Sequence, residues 1–283
     1  MPQAGVTATS PWVPHRRRAD VLRARYPFAA EVLTLYLALL DVWEEAWRAA
    51  RERPPEGGEL AGWAAERVVP RIVEVTAQAG PQTLAAATRS LVDDHSASAP
   101  LDAWLAGEAI SPVQAYLARA SLRAPLEARE ATPARDPSPR QARTCPRCGG
   151  PPQLSFRAHS DDGLVRGHRY LACARCWASW SYAASACASC GETAGARRTV
   201  YAEQREGPVV GRGDPGPSGG REGQTFPHLR IEGCQSCSRY LIDVDLGRDP
   251  RAVPEVDELA ALPLDLYAAE RGLTKITPNL MGF

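Results

Sequence analysis

Residues 145–150 read Cys-Pro-Arg-Cys-Gly-Gly, and this Cys-x-x-Cys spacing decides the fold of the part of the chain that it opens. The spacing recurs at residues 173–176, 187–190 and 234–237, so four pairs use all eight cysteines of the 283-residue chain. Two thiolates separated by two residues reach one metal ion from a tight turn, and two such turns complete a tetrahedral site. The sequence therefore predicts two four-cysteine metal sites, whose ligands are Cys145, Cys148, Cys173, Cys176, Cys187, Cys190, Cys234 and Cys237.

The order of the pairs favours a tandem arrangement. Glycine follows the first and third pairs, as Gly149 and Gly191, and permits the positive φ that the returning chain needs. The simplest arrangement joins the first pair with the second and the third with the fourth, although the spacing also permits an interleaved one. Segments 168–173 and 229–234 alternate like strands that lead into a cysteine pair. Each half of the region therefore reads as a small β ribbon around one metal ion.

Metal binding competes with two other uses of cysteine. Disulfides are disfavoured because no secretory signal is visible and the cytosol is reducing. A dithiol redox centre is disfavoured because thioredoxin-like motifs lie at a helix start and occur once rather than four times. Zinc and iron both accept four thiolates, and the sequence does not decide between them.

The part of the chain before the cysteines reads as an all-helical domain, residues 1–128, that is loose up to about residue 18. Apolar residues recur at helical spacing from Phe28 to Trp47. We expect this helix to end at Pro54, because proline cannot donate the backbone hydrogen bond that a helix interior requires.

Prolines predict further helix boundaries. A helix should break at Pro70, a new helix should begin with Ser111 as N-cap and Pro112 in the first turn, and that helix should end at Pro125. Near the end of the chain, apolar residues return to helical spacing, with a break expected at Pro263.

Composition divides the chain into further segments. A proline-rich, charged stretch separates the helical domain from the cysteines, and a stretch rich in glycine and proline, residues 206–224, predicts a surface loop. The predicted fold class is α+β, with a helical domain (1–128), a linker (129–143), a first four-cysteine ribbon (144–184), a second four-cysteine ribbon (185–250) and a C-terminal helical segment (251–283).

Charge and hydropathy argue against several functional classes. The 33 basic and 33 acidic residues cancel, with 17 of each before Thr144 and 16 of each from there on, so neither half predicts a nucleic-acid partner. The longest apolar run, residues 32–40, is too short to span a bilayer. No motif joins the histidines into a catalytic group, although His168 lies in segment 168–173, which leads into the second cysteine pair. We expect a cytoplasmic protein that is not an enzyme.

The cysteine motifs resemble those of the formate dehydrogenase accessory protein FdhE family. The likeness lies in residues 145–152, residues 169–180 and residues 187–190. It continues through Glu232–Leu241, which holds the last cysteine pair and its following tyrosine, and through an acidic, leucine-rich segment at 256–265. Glu258 stands where the family usually has the second of two aspartates.

The resemblance implies an accessory protein without chemistry of its own. It implies a helical domain with two rubredoxin-like or zinc-ribbon modules that hold two iron or zinc ions. It implies binding to the catalytic subunit of a molybdenum formate dehydrogenase during cytoplasmic maturation. Aromatic and acidic side chains near the cysteines are candidates for contacting that subunit: Tyr170, Trp177, Trp180, Tyr240, Asp257, Glu258 and Asp265.

Each of these candidates also has an ordinary structural interpretation. The aromatic side chains can form an apolar shell around the metal, and the first two carboxylates can offset a helix dipole. Two other functions compete with the accessory role. An iron-dependent redox or electron-transfer protein of rubredoxin type would be coloured and reversibly reducible, and a nucleic-acid-binding zinc ribbon would present a basic, aromatic face.

Overall fold

A computed structural model describes residues 10–56, 58–94, 97–129, 142–158, 167–203 and 225–282. The helices in these ranges are α1 Val13–Arg25, α2 Ala30–Glu52, α3 Leu60–Arg67, α4 Val69–Ala79, α5 Gln82–Asp94, α6 Ala99–Ala106, α7 Pro112–Ala128, α8 Pro254–Ala260 and α9 Leu262–Glu270. The strands are β1 Pro152–Arg157, β2 Arg169–Cys173, β3 Ser179–Ser181, β4 Arg198–Tyr201, β5 Leu229–Cys234, β6 Arg239–Asp245 and β7 Thr274–Lys275. This order confirms the predicted α+β class.

Helix α2 is the centre of the helical part. Its apolar stripe, which includes Leu33, Tyr36, Leu40 and Trp43, is completely buried. Helices α1, α4 and α7 pack against it. The indole of Trp43 donates a hydrogen bond to the carbonyl of Ala120 in α7 at 2.7 Å, which fixes how the two helices meet. As predicted from Pro54, the helix ends before that residue.

Several predicted helix boundaries are confirmed. The chain breaks between α3 and α4 next to Pro70, and between α8 and α9 next to Pro263. Ser111 caps α7 through its hydroxyl, which accepts from the backbone N–H of Gln114 at 3.3 Å, while the Gln114 side chain accepts from Ser111 N–H. This reciprocal pair satisfies two amides that a helix start leaves open.

Two helix predictions are wrong. Residues 12–18 are not loose, because α1 begins at Val13 and Trp12 is buried against Trp47, while residues 1–9 lie outside the described part of the chain. Pro125 does not end α7, which continues to Ala128. Residues 116–126 of α7 are almost wholly buried, so packing on both sides holds the helix together despite the missing backbone donor.

The seven strands form one sheet with the order β3-β2-β1-β6-β5-β4, and β7 pairs with β6 beyond this path. Strands β1, β2 and β3 form one antiparallel half, and β4, β5 and β6 form the other. The halves meet where β1 runs parallel to β6, with Ser155 opposite Asp243. In each half, a strand follows the first cysteine pair, and the second pair lies between two strands. The two modules therefore have matching connectivity.

Buried charges hold the two halves of the sheet together. Asp243 of β6 accepts a hydrogen bond from the Ser155 hydroxyl at 2.5 Å and from Nε of Arg157 at 3.0 Å, both in β1. Arg157 and Arg169 of the first half also pair with Glu232 of β5, at 2.8 and 2.7 Å. Because buried carboxylates need cationic partners, this network specifies how the modules join.

The helical part and the sheet also share buried pairs. Arg119 of α7 donates to the Gln153 side chain in β1 and to the carbonyl of Pro278, both at 2.6 Å. Burial lowers the pKa of Arg119 to about 10. Arg123 of α7 forms a buried ion pair with Glu255 of α8. These contacts fix the cysteine-rich part of the chain against the helices.

Some predicted segments lie outside the described residues. They are the glycine-rich loop at 206–224 and residues 130–141 of the predicted linker.

Among the helices in the described ranges, none is long and apolar enough to cross a membrane.

Candidate metal centres

The first cysteine cluster lies at the end of the β1–β2 hairpin. The four sulfurs of Cys145, Cys148, Cys173 and Cys176 lie within 4.8 Å of one another. The sulfurs of Cys145 and Cys176 are 3.7 Å apart, and those of Cys148 and Cys173 are 3.5 Å apart. Three of these cysteines are buried and Cys148 is partly buried.

The backbone forms the first cluster from two tight turns. After Cys148 the chain reverses through Gly149 at φ 70°, and Gly149 donates its N–H to the carbonyl of Cys145 at 2.8 Å. After Cys176 it reverses through Trp177 at φ 55°. The N–H of Arg175 points at the sulfur of Cys173 at 3.3 Å and so offsets thiolate charge.

The second cluster repeats this geometry between the start of β4 and the β5–β6 turn. The sulfurs of Cys187 and Cys237 are 3.8 Å apart, and those of Cys190 and Cys234 are 3.7 Å apart. The N–H of Ser189 lies 3.4 Å from the sulfur of Cys187.

The residues after the second cluster's turns also have left-handed backbone. Gly191 follows the first pair of this cluster at φ 82°, and Ser238 follows the second pair at φ 54°. In both clusters, glycine therefore stands after one pair and a residue with a side chain after the other.

The sulfur spacing fits a tetrahedral ion. Four sulfurs placed 2.3 Å from a central zinc ion lie about 3.8 Å apart along each edge, which matches the distances of 3.5 to 3.8 Å. The first pair lies with the second and the third with the fourth, so the predicted tandem pairing is confirmed and the interleaved alternative is wrong. All eight cysteines are free thiols rather than disulfides.

The two clusters differ in their exposure to solvent. In the first cluster, hydrogen bonds with the other three thiols raise the pKa of Cys173 and lower the pKa of Cys148, because the crowded thiols share protons. In the second cluster Cys190 is exposed.

A bound ion would supply a covalent crosslink between two turns in each module, and iron would also add a valence change. Four thiolates suit both metals.

Three of the predicted aromatic residues lie close in sequence to the second cysteine pair of the first cluster. Trp180 is buried and its indole donates to the carbonyl of Ala142 at 2.7 Å. Tyr170 stacks on Phe156 with 5.4 Å between ring centroids. Trp177 is partly buried, with its ring 4.9 Å from the Arg123 guanidinium. These rings have partners inside the chain, and their contact with another protein remains a prediction.

The predicted C-terminal residues are also placed inside the chain. Tyr240 donates to Asp265 at 2.8 Å, and the Lys275 ammonium lies 2.5 Å from Glu258 and 3.0 Å from Asp265. Burial raises the pKa of Glu258 and of Tyr240. These side chains fix α8 and α9 against β6 and β7, and their contact with a partner also remains a prediction.

Asp257, in the first turn of α8, joins this helix to α1. It accepts from Arg18, forming a buried ion pair, and from Nε2 of His228 at 2.7 Å. It also accepts the backbone N–H of Val253 at 2.8 Å, which supports the helix start. Sequence reasoning missed Arg18 because it follows two other arginines and reads as part of an exposed charge run.

His168 lies exposed at the start of β2. Among the described residues, the two cysteine clusters are the groups of three or more histidines, cysteines or carboxylates close enough to hold a metal ion.

Comparisons with known proteins find similar sequences. Residues 219–281 match the sequence model of the FdhE C-terminal domain. An FdhE homolog of Aquifex aeolicus is 28% identical over 139 residues, which are 49% of this chain and 41% of that protein. The FdhE homolog of Pseudomonas aeruginosa is 32% identical over 139 residues, which are 48% of this chain and 38% of that protein. The matched part of this chain thus spans about two fifths of each relative.

The fold resembles a solved structure over nearly the whole chain. The crystal structure of the FdhE protein from Pseudomonas aeruginosa superimposes with a TM-score of 0.65 at 21% identity, covering 99% of this chain and 98% of that one. The resemblance to FdhE proteins that the cysteine motifs predicted is confirmed, in sequence for residues 219–281 and in fold over 99% of the chain.

Proposed function

We propose that this FdhE-like protein is an accessory protein of formate dehydrogenase, which binds the catalytic subunit of a molybdenum formate dehydrogenase in the cytoplasm and is needed for its activity. The protein catalyses no reaction in this role. Its two cysteine clusters each hold one zinc or iron ion.

The observation that carries this proposal is the closed geometry of both clusters. Four cysteines surround each centre, so the protein fills all four tetrahedral positions and leaves no open one for water or substrate. Catalytic zinc sites keep such an open position, whereas closed sites contribute folding energy. The ions therefore serve to make a binding module rigid.

A rigid surface favours tight binding in a protein that recognises a folding intermediate. The metal-crosslinked sheet is fixed to the helices through buried pairs such as Arg119 with Gln153 and Arg123 with Glu255. A preorganised surface loses little conformational entropy on binding, so more of the interaction energy appears as affinity. Large apolar side chains remain exposed on this body, among them Phe28 and Leu266.

A second candidate is electron transfer by bound iron. The exposure of Cys190 supports it, because an iron ion near the surface can exchange electrons with a docked protein. This candidate predicts a red protein that dithionite bleaches reversibly. Zinc in both sites would contradict it and leave the accessory role intact.

The accessory role is tested by capturing the catalytic subunit from cells that are producing formate dehydrogenase. We expect the tagged wild-type protein to retain the immature subunit, and cells that lack the protein to lose formate dehydrogenase activity. The proposal would be contradicted if the tagged protein failed to capture the subunit and cells without the protein kept their formate dehydrogenase activity.

Trp177→Ala tests whether the aromatic residues at the first cluster contribute to this binding. Trp63→Ala on α3 is the matched control, since Trp63 is also partly buried but lies away from the cysteines. If the Trp177 variant keeps two metal ions yet loses the subunit, the ring contacts the partner. Loss of metal together with binding would show that the ring only shields the cluster.

A further inference from the structure

A cavity in the described part of the chain lies away from both cysteine clusters. It is a cleft of about 750 Å³ between α1, the turn at 225–228 and the loop at 248–253. Its wall on the α1 side includes Arg17, Val21 and Arg25. The loop side contributes Arg248 and Arg251.

The cleft is rich in positive charge. Arg248 lies 3.5 Å from Asp245, and Arg251 lies 3.6 Å from Asp249, so both loop arginines have carboxylate neighbours. Arg17 and Arg25 are exposed, and among the described residues neither forms an ion pair. Two guanidinium groups on one wall are therefore available to an anionic ligand.

The base of the cleft is rigid. Arg18 of α1 lies at the base of the cleft, is 8% exposed, and pairs with Asp257 and with Asp249, the latter at 2.9 Å. His228 lies 3.4 Å from the same guanidinium. Because one guanidinium faces two carboxylates at the base, the net positive charge of the cleft comes from its rim rather than from its base.

The spacing along α1 matches an extended peptide. Arg17 and Arg25 are eight residues apart on one face of a helix, which corresponds to about 12 Å at 1.5 Å per residue. Side chains at positions i and i+4 of an extended chain share one face and lie about 13 Å apart. Val21, which is 57% exposed, lies midway and would meet the side chain at position i+2.

We propose that this cleft binds an extended acidic segment of a protein partner, with carboxylates at positions i and i+4 and an apolar residue at i+2. A single phosphate or carboxylate is too small to reach both Arg17 and Arg25, and it leaves the exposed valine between them in water. The site is separate from the metal centres, and the proposal stands whether or not the partner is a formate dehydrogenase.

The test uses a fluorescein-labelled peptide with the sequence Gly-Ser-Glu-Ser-Leu-Ser-Glu-Ser-Gly, and fluorescence anisotropy measures its binding to the full chain. A second peptide has the same composition with its two glutamates adjacent. We expect the spaced peptide to bind and to weaken as salt is raised, and the adjacent-glutamate peptide to bind at least about fivefold more weakly.

The variant Arg17→Glu/Arg25→Glu should weaken binding of the spaced peptide by roughly tenfold or more, because it replaces two attractions with two repulsions. Arg53→Glu/Arg89→Glu changes the net charge equally at exposed positions outside the cleft and should alter binding by less than about twofold. Thermal unfolding and metal content verify that each variant is folded, and Arg17→Gln/Arg25→Gln replaces the charge reversal if that variant fails to fold.

Several results would overturn the proposal. They are equal binding of the two peptides, equal effects of the two double variants, or complete displacement of the spaced peptide by millimolar inorganic phosphate. The last result would mean a small-anion site.

Discussion

Replacing Asp257 by asparagine tests whether this buried carboxylate holds the molecule together or serves a partner. The side chain is 1% exposed and lies between Arg18 and His228. Asparagine has nearly the same shape and keeps one acceptor for the Val253 N–H. The substitution therefore removes charge while it preserves volume.

The expected loss of stability follows from the burial of the cation. Arg18 is itself 8% exposed, and in the variant Asp249 is its remaining carboxylate partner among the described residues. Removing one partner of a buried ion pair costs about 3 to 5 kcal/mol. Because one hydrogen-bond acceptor is retained, the lower end of this range is expected. For a chain of this size, the midpoint of thermal unfolding should fall by roughly 6 to 12 °C.

The matched control is Asp41→Asn. Asp41 pairs with Arg16, two residues before Arg18, but its side chain is 73% exposed. A surface pair of this kind contributes about 0 to 1 kcal/mol. Circular dichroism during heating, on metal-loaded protein at one concentration, compares the two variants with the wild type.

The result that would refute this reasoning is a midpoint for Asp257→Asn within about 2 °C of that of Asp41→Asn. Asp257 would then not stabilise the fold, and capture of the catalytic subunit by the variant would decide whether it contacts the partner. A destabilised variant that still captures the subunit below its unfolding temperature would assign Asp257 a structural role only.

The remaining predictions concern pH and the cysteine turns. Burial, with the nearby Arg123 charge, lowers the pKa of His15 to about 3, so the unfolded chain binds this proton more readily and stability should fall as pH drops from 6.5 towards 3. In denaturant titrations at pH 7 and pH 5, His15→Gln should reduce the loss of stability between the two by about 2 kcal/mol, and an unchanged loss would contradict the assignment. At the second cluster, Gly191→Ala should destabilise the metal-loaded protein by about 1 kcal/mol because its φ is 82°. Ser238→Gly, at φ 54°, should not destabilise it. If both substitutions changed the midpoint of thermal unfolding in the same direction, backbone strain would not govern these turns.

The sequence was most informative where chemistry requires a fixed spacing. Two thiols per turn and two turns per ion leave few arrangements for eight cysteines, and the glycines at 149 and 191 correctly indicated which pair opens each module. The serine cap of α7 was equally predictable, because Ser111 and Gln114 satisfy each other's backbone within four residues.

The sequence was least informative where distant segments meet. The parallel pairing of β1 with β6 joins residues 155 and 243, and no local pattern indicates it. From the sequence alone, Arg18 is interpreted as surface charge. In the fold, α8 places Asp257 beside it, although the two residues are 239 positions apart in the chain. Pro125 reads as a helix end, yet burial of the surrounding turn in α7 outweighs the lost hydrogen bond.

Metal analysis together with X-ray absorption on protein purified without oxygen tests the central claim most directly. The claim is that both clusters are closed four-thiolate sites. It predicts two ions per chain, each with four sulfur neighbours at about 2.3 Å, and loss of the folded cysteine-rich part when a chelator removes them. Fewer than four sulfur neighbours, or a module that stays folded without metal, would contradict it.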